Sequence, residues 1–149
     1  MAFSDIAVRA NGQKILYSWF NALRTAGIAV ETTVGVGIVE TELALANNQV
    51  AAANVTGLLF AAATYGGSIV EAFIRRKTDS SERLSHIRMM VSYRQSTSAW
   101  EISEIVEGGD ASGVVFSITS GGQVQYTSNN QAGSNYAGEI KFRARNFLI

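Results

Sequence analysis

The sequence predicts a mainly β chain, an antiparallel β-sandwich or small barrel preceded by a short N-terminal helix. Three observations carry this. Apolar residues alternate with polar ones over several short runs in the second half of the chain. A Gly-Gly pair separates two of those runs in the manner of a hairpin. The spacing of strand-like segments leaves no room for a β–α–β rhythm, which disfavours a parallel nucleotide-binding sheet.

The helix is expected over residues 18–26, in the run YSWFNALRTAG. Ser18 can cap the first turn. Phe20 and Leu23 lie three apart on one face, and Trp19 and Ala22 widen the stripe. Gly27 can take the left-handed conformation that ends it. Nine residues cannot hold a helix alone in water, so it must dock, with Trp19, Phe20 and Leu23 as the expected interface anchors. Upstream, Asn11-Gly12 reads as a tight turn.

Residues 28–67 give a mixed signal. The run 34–39 is apolar but glycine-broken, and 42–46 alternates weakly. The Ala-rich stretch 50–63 suits a helix by propensity, whereas Asn54, Thr56, Gly57 and the β-branched residues suit an extended segment. At about 14 residues it is shorter than the roughly 18 that suggest a membrane span. We divide the chain into an attachment and oligomerisation region, 1–67, and an antiparallel β domain, 68–149.

Within that domain, strands are expected at 69–77 and 87–94, joined by the polar turn Thr78-Asp79-Ser80-Ser81-Glu82. Ile87, Met89, Val91 and Tyr93 share one face of the second strand. Residues 100–106 read as a strand with Trp100, Ile102, Glu104 and Val106 on one side, although Glu101, Glu104 and Glu107 also fit a short helix. Runs 114–120 and 123–128 flank Gly121-Gly122, a two-residue turn in which both glycines are expected at positive φ. Phe116 and Ile118 then pair with Val124 and Tyr126. The final strand, 137–144, turns Ile140, Phe142 and Ala144 inward and Glu139, Lys141, Arg143 and Arg145 outward.

Composition narrows the function. Only 16% of residues are charged, against about 25% in ordinary globular chains, while 47% are hydrophobic. Few charges on a small chain point to surface buried against other subunits or to a polar, uncharged exterior. Twelve basic and twelve acidic residues give no field for nucleic acid or a membrane surface. With no cysteine, disulfides and thiolate chemistry are excluded. Proline is absent too, where about 5% usage would give about seven, so turns must rely on Gly, Asn, Asp and Ser. The N-terminus lacks the basic and apolar pattern of a signal peptide.

No catalytic, cofactor-binding or metal-binding set emerges. His86, the only histidine, stands beside a polar turn without a placed relay partner. Glu107-Gly108-Gly109-Asp110 reads as a turn rather than a cation loop. Arg75, Arg76, Lys77, Arg83, Arg88 and Arg94 form a basic stretch that the acids Glu101, Glu104, Glu107 and Asp110 would neutralise if the strands pair. Tyr65, Tyr126 and Tyr136 could stack on sugars, but core or interface positions are the commoner fate.

Several stretches resemble tailed-bacteriophage virion proteins, including fibre-like tail or head components with a C-terminal β module. They are VVFSITSGGQVQYTSNN (114–130), GSNYAGEIKFRAR (133–145), AANVTGLLF (52–60) and IRRKTD (74–79), with SWFNALRTAG (18–27) resembling a short helix near the start of such proteins. The resemblance implies a homotrimer without enzymatic activity or cofactors, made in the bacterial cytoplasm and built into the virion. Its partners would be itself and other tail or capsid proteins, in a short tail, fibre, baseplate or collar component. A receptor- or glycan-binding tip, or a capsid-decorating head fibre, is the alternative.

Overall fold

Alternating side chains require two faces, and the chain supplies them as two antiparallel sheets. The computed structural model describes residues 37–149, which form one compact unit. The helix expected at 18–26, with Trp19, Phe20 and Leu23, lies outside the described residues.

Among the described residues are eight strands and no helix: β1 (Ile38–Ala44), β2 (Ala53–Leu59), β3 (Tyr65–Lys77), β4 (Glu82–Arg94), β5 (Ala99–Gly109), β6 (Val114–Ile118), β7 (Gln123–Ser128) and β8 (Ala137–Leu148). Five form one sheet in the order β1-β8-β3-β4-β5, and three form a second in the order β2-β7-β6. The inner faces meet in a single apolar core. Val55, Leu58, Phe60, Phe116 and Val124 of the smaller sheet and its flanks face Val70, Ile74, Met89, Ile140 and Phe142 of the larger. This is sandwich-like packing, with buried side chains taken alternately from each strand.

The β3–β4 hairpin keeps continuous register from Gly67↔Ser92 to Lys77↔Glu82, closed where Thr78 N–H donates to Ser81 O at 2.7 Å. Both strands are longer than expected, β3 beginning at Tyr65 and β4 at Glu82. Strand β8 also runs four residues past 144, burying Asn146, whose Oδ1 accepts from Ser68 Oγ at 2.8 Å. Residues 99–109 are strand, so the helical alternative for the Glu101–Glu104 spacing falls. Within the Ala-rich stretch residues 53–59 are likewise extended, as β2, and its end turns back at Ala61, whose carbonyl accepts from Thr64 N–H. The boundary drawn between 67 and 68 falls inside β3, and β1 and β2 pair with β8 and β7. The sheets therefore reach back into the region assigned to attachment.

The Gly-Gly hairpin has the expected register, Phe116↔Tyr126 and Ile118↔Val124. Its turn differs. Gly122 N–H donates to Thr119 O at 2.9 Å, and Thr119 N–H donates to Gln123 O at 3.0 Å. The loop is thus three residues long, and only Gly122 has positive φ, 83°. One left-handed residue after a tight turn restores the strand twist, so Gly121 needs no special backbone. A Cβ on Gly122 would also strike Phe60 O and stand 2.9 Å from Trp100 Nε1.

Candidate functional site

Charge is divided between the two sheets. Residues 43–70 and 111–138 contain no Asp, Glu, Lys, Arg or His. These two stretches, remote in sequence, include all of β2, β6 and β7. Their pairing makes the three-stranded sheet wholly uncharged. On its outer face Asn54, Gln125 and Ser117 form a row across the three strands, and Gln125 Nε2 donates to Asn54 Oδ1 at 2.8 Å. Thr56, Thr127, Val115 and Leu59 flank the row, the last two 65% and 59% exposed.

The seam between β2 and β7 is irregular, and the outer edge of β6 is partly occupied. The register between β2 and β7 breaks between Asn54 and Leu59, where Gln123 Nε2 donates to Val55 O and Leu58 O at 3.0 and 3.1 Å. On the outer edge of β6, the Phe116 backbone N–H donates to the carboxylate of Glu104. Glu104 shares the inner-face parity of Trp100 and Ile102. Partial burial pushes its carboxyl above the usual range, and the Phe116 hydrogen bond offsets some of that shift.

The outer face of the five-stranded sheet carries the charges, largely as cross-strand pairs. Glu71 lies 2.6 Å from Arg143 and 4.0 Å from Arg88. Arg75 meets Glu82 at 2.7 Å, Arg94 meets Glu101 at 2.9 Å, and Lys141 meets Glu42 at 3.4 Å. The hydrogen bond from Arg94, then its charge, draws the Glu101 carboxyl below its ordinary range. Arg75, Arg88 and Arg94 of the basic stretch are therefore partnered, and Arg83 Nη1 donates to Ala111 O. They do not form a bare cationic stripe.

Arg76 behaves differently. It occupies the inward parity of β3 and is fully buried. Nε donates to Tyr136 Oη (3.0 Å), Nη1 to Ser112 O (2.7 Å) and Asn129 Oδ1 (2.8 Å), and Nη2 to Asn47 Oδ1 (3.2 Å) and Asn129 O (2.6 Å). All five guanidinium donors thus meet neutral oxygens. Buried Gln131 extends the cluster, donating from Nε2 to Arg76 O and Ser81 Oγ. This network ties together the loops at one end of the sandwich.

The remaining sequence candidates fall into place around these features. His86 lies within β4, exposed on the outer face, its ring 4.9 Å from that of Phe73. With Glu40, Glu71, Lys141 and Arg143 this pair lines a shallow hollow of about 430 Å³. Tyr126 is buried and its Oη accepts from Ala46 N–H, Tyr136 serves Arg76, and Tyr65 packs edge-on to Phe60. None of these tyrosines offers a free stacking platform. The turn expected at 107–110 is instead the end of β5, with Gly108 and Gly109 paired to His86 and Ser85, and Asp110 just beyond accepts the Leu84 N–H at Oδ2. Among the described residues no group of three or more His, Asp or Glu is placed to hold a metal ion. The uncharged row was missed by motif reading, although the two charge-free stretches were its signal.

No family model matches the sequence. No curated protein matches it either. Two solved structures show a weak structural resemblance. The tailspike protein of Acinetobacter phage vB_ApiP_P1 aligns with 77% of this chain and 20% of its own, at 15% identity and a TM-score of 0.35. The tailspike protein of Acinetobacter baumannii phage AM24 aligns with 76% of this chain and 26% of its own, at 10% identity and a TM-score of 0.40. The chain therefore spans about a fifth and a quarter of the chains it resembles, and likeness at this level fixes neither fold nor function.

Proposed function

We propose that this chain is a non-enzymatic structural protein of a bacteriophage virion, assembled into a short tail, fibre, baseplate or collar component. The carrying observation is the uncharged three-stranded sheet. A small protein that works alone in water normally spreads charge over its surface, which keeps it soluble and apart from its neighbours. Here one whole sheet lacks charge, as befits a part built to be covered. Two stretches that carry the phage resemblance, 52–60 and 114–130, are the strands of this sheet and their flanks. The polar groups that could have served chemistry are bound up in structure instead, Arg76 and Tyr136 above all.

In this reading the chain is a homotrimer in the particle. The residues ahead of the sandwich attach it to other virion proteins through Trp19, Phe20 and Leu23. Mass spectrometry of purified particles and antibody labelling of intact ones test the placement. The chain is expected at fixed stoichiometry in the tail or its junction with the head, and its absence from particles would refute the proposal. Deleting residues 1–27 should leave the sandwich folded and sharply reduce incorporation.

A second reading, a receptor- or glycan-binding tip, is favoured by the Phe73–His86 pair in its charged hollow. Aromatic faces beside hydrogen-bonding side chains suit sugar rings. Phe73→Ala would then abolish host adsorption while particles still assemble.

A further inference from the structure

We infer that the outer face of the three-stranded sheet, centred on Gln125 with Asn54 and Ser117 beside it, is where a second copy of this chain docks. The inference rests on the virion-assembly reading above and adds to it a surface and a partner; a face that meets its own copy makes a two-fold pair, a contact separate from the threefold state in that reading. Three properties of the face select that partner.

The first is electrostatic. Two copies of a charged face repel unless opposite signs fall in register, whereas two uncharged faces meet without that cost. A nucleic acid would require cations that this face lacks. A strongly charged protein would lose hydration on docking and gain no counter-charge.

The second is hydrogen bonding. Asn, Gln, Ser and Thr side chains each donate and accept, so the same row on another copy offers matching groups. Exposed Val115 and Leu59 add apolar contact beside the row. The opposite sheet has no comparable vacancy for a copy of itself, because its carboxylates and guanidinium groups are largely occupied with each other.

The third is geometric. Strand addition at the edges of the three-stranded sheet would build open-ended stacks. Edge strand β2 is bulged where its pairing with β7 breaks, which blunts it for strand addition, and edge strand β6 has Glu104 on the Phe116 N–H. The face remains the accessible surface, and face-to-face association closes on itself.

The test uses the purified full-length chain and light scattering at micromolar concentration. Gln125→Lys and Gln125→Glu each place a charge on the central strand, pointing to solvent in the single chain. Each variant alone should fall to half the wild-type mass, and a one-to-one mixture should recover the wild-type mass as unlike charges pair. Ser92→Lys, exposed on the opposite sheet, should leave the mass unchanged. Circular dichroism and thermal unfolding of every variant establish that the sandwich is intact. If Gln125→Lys misfolds, Ser117→Lys on the neighbouring strand makes the same test. A monomeric wild-type chain, an oligomer indifferent to these charges, or a mixture that stays dissociated would overturn the inference. Particle proteomics separates this from the wider reading, because a chain found in virions yet assembled through another surface refutes the face alone.

Discussion

Replacing Arg76 by Met would remove a buried cation while keeping most of the side-chain volume. Hydrogen bonds from a charged donor contribute about 1.5–3 kcal/mol each. Five of them would sum to about 7.5–15 kcal/mol, as much as the roughly 5–15 kcal/mol by which a whole domain is stable, so they cannot simply add. Burying the guanidinium itself costs several kcal/mol, which the five bonds must first offset. Removing it deprives Ser112 O, Asn129 Oδ1 and Tyr136 Oη of this donor, while Asn129 O keeps the Asn48 N–H and Asn47 Oδ1 keeps the Gln131 N–H. We expect a net loss of about 3–5 kcal/mol, because several acceptors lose their donor at about 1–3 kcal/mol each while the cost of burying the charge is relieved. Arg76→Lys keeps the charge but has three donors on a point-like head, and should lose about 2–3 kcal/mol. In urea, with a slope of about 2 kcal/mol/M, Arg76→Met should lower the unfolding midpoint by about 2 M. A Met variant within about 1 kcal/mol of wild type would refute the reasoning. It would mean that the bonds only cancel the cost of burying the charge.

Three further substitutions test other parts of the fold. Gly122→Val should destabilise by about 3 kcal/mol or more, combining left-handed strain with the clash on Phe60 O, whereas Gly121→Ala should cost under about 1 kcal/mol; equal shifts in Tm would contradict the three-residue loop. Trp100→Phe should stay within about 1 kcal/mol of wild type, because the lost ring volume is offset by removing a buried Nε1–H that has no acceptor, while Trp100→Ala should lose about 3–5 kcal/mol in the same unfolding assay. The folded state raises the Glu104 carboxyl, so it binds that proton more tightly than the unfolded chain does, and this contribution is present at acidic pH and lost as pH rises through the raised value. Glu104→Gln should therefore gain slightly in Tm relative to wild type near neutral pH and lose that advantage on acidification; a pH-independent difference would count against it.

The sequence made some of this readable and hid the rest for definite reasons. Alternation identified β4, β7 and β8 because one face of each is apolar and buried, and the Gly-Gly pair located its hairpin. The same rule held a clue to Arg76, which shares parity with Val70, Ala72 and Ile74. Adjacency to Arg75 and Lys77 made it look like one member of a solvated charge run. Burial of a cation depends on acceptors from loops up to 60 residues away, and local pattern contains no trace of them. Strand β2 was ambiguous because alanine favours helices, and its extended form is imposed by pairing with β7. The row on Asn54, Gln125 and Ser117 is formed by strands distant in sequence. The charge-free stretches were visible, but not that they become neighbours. Nothing described here bears on Trp19, Phe20 and Leu23.

The position of β8 governs the order in which this chain can mature on a ribosome. It lies between β1 and β3, yet it is the last of the eight strands to be synthesised. The meander from β3 to β5 can form early, since each partner follows closely in sequence. One side of β3 and the whole of β1 must wait for residues 137–148 to emerge. Such distant pairing places the domain among slow, topology-limited folders, in the range of milliseconds to seconds. With no proline in the chain, no prolyl isomerisation can add a slower phase of tens of seconds. Nascent chains stalled before β8 would expose a long unpaired strand flank, which closes in a single step once residues 137–148 have emerged.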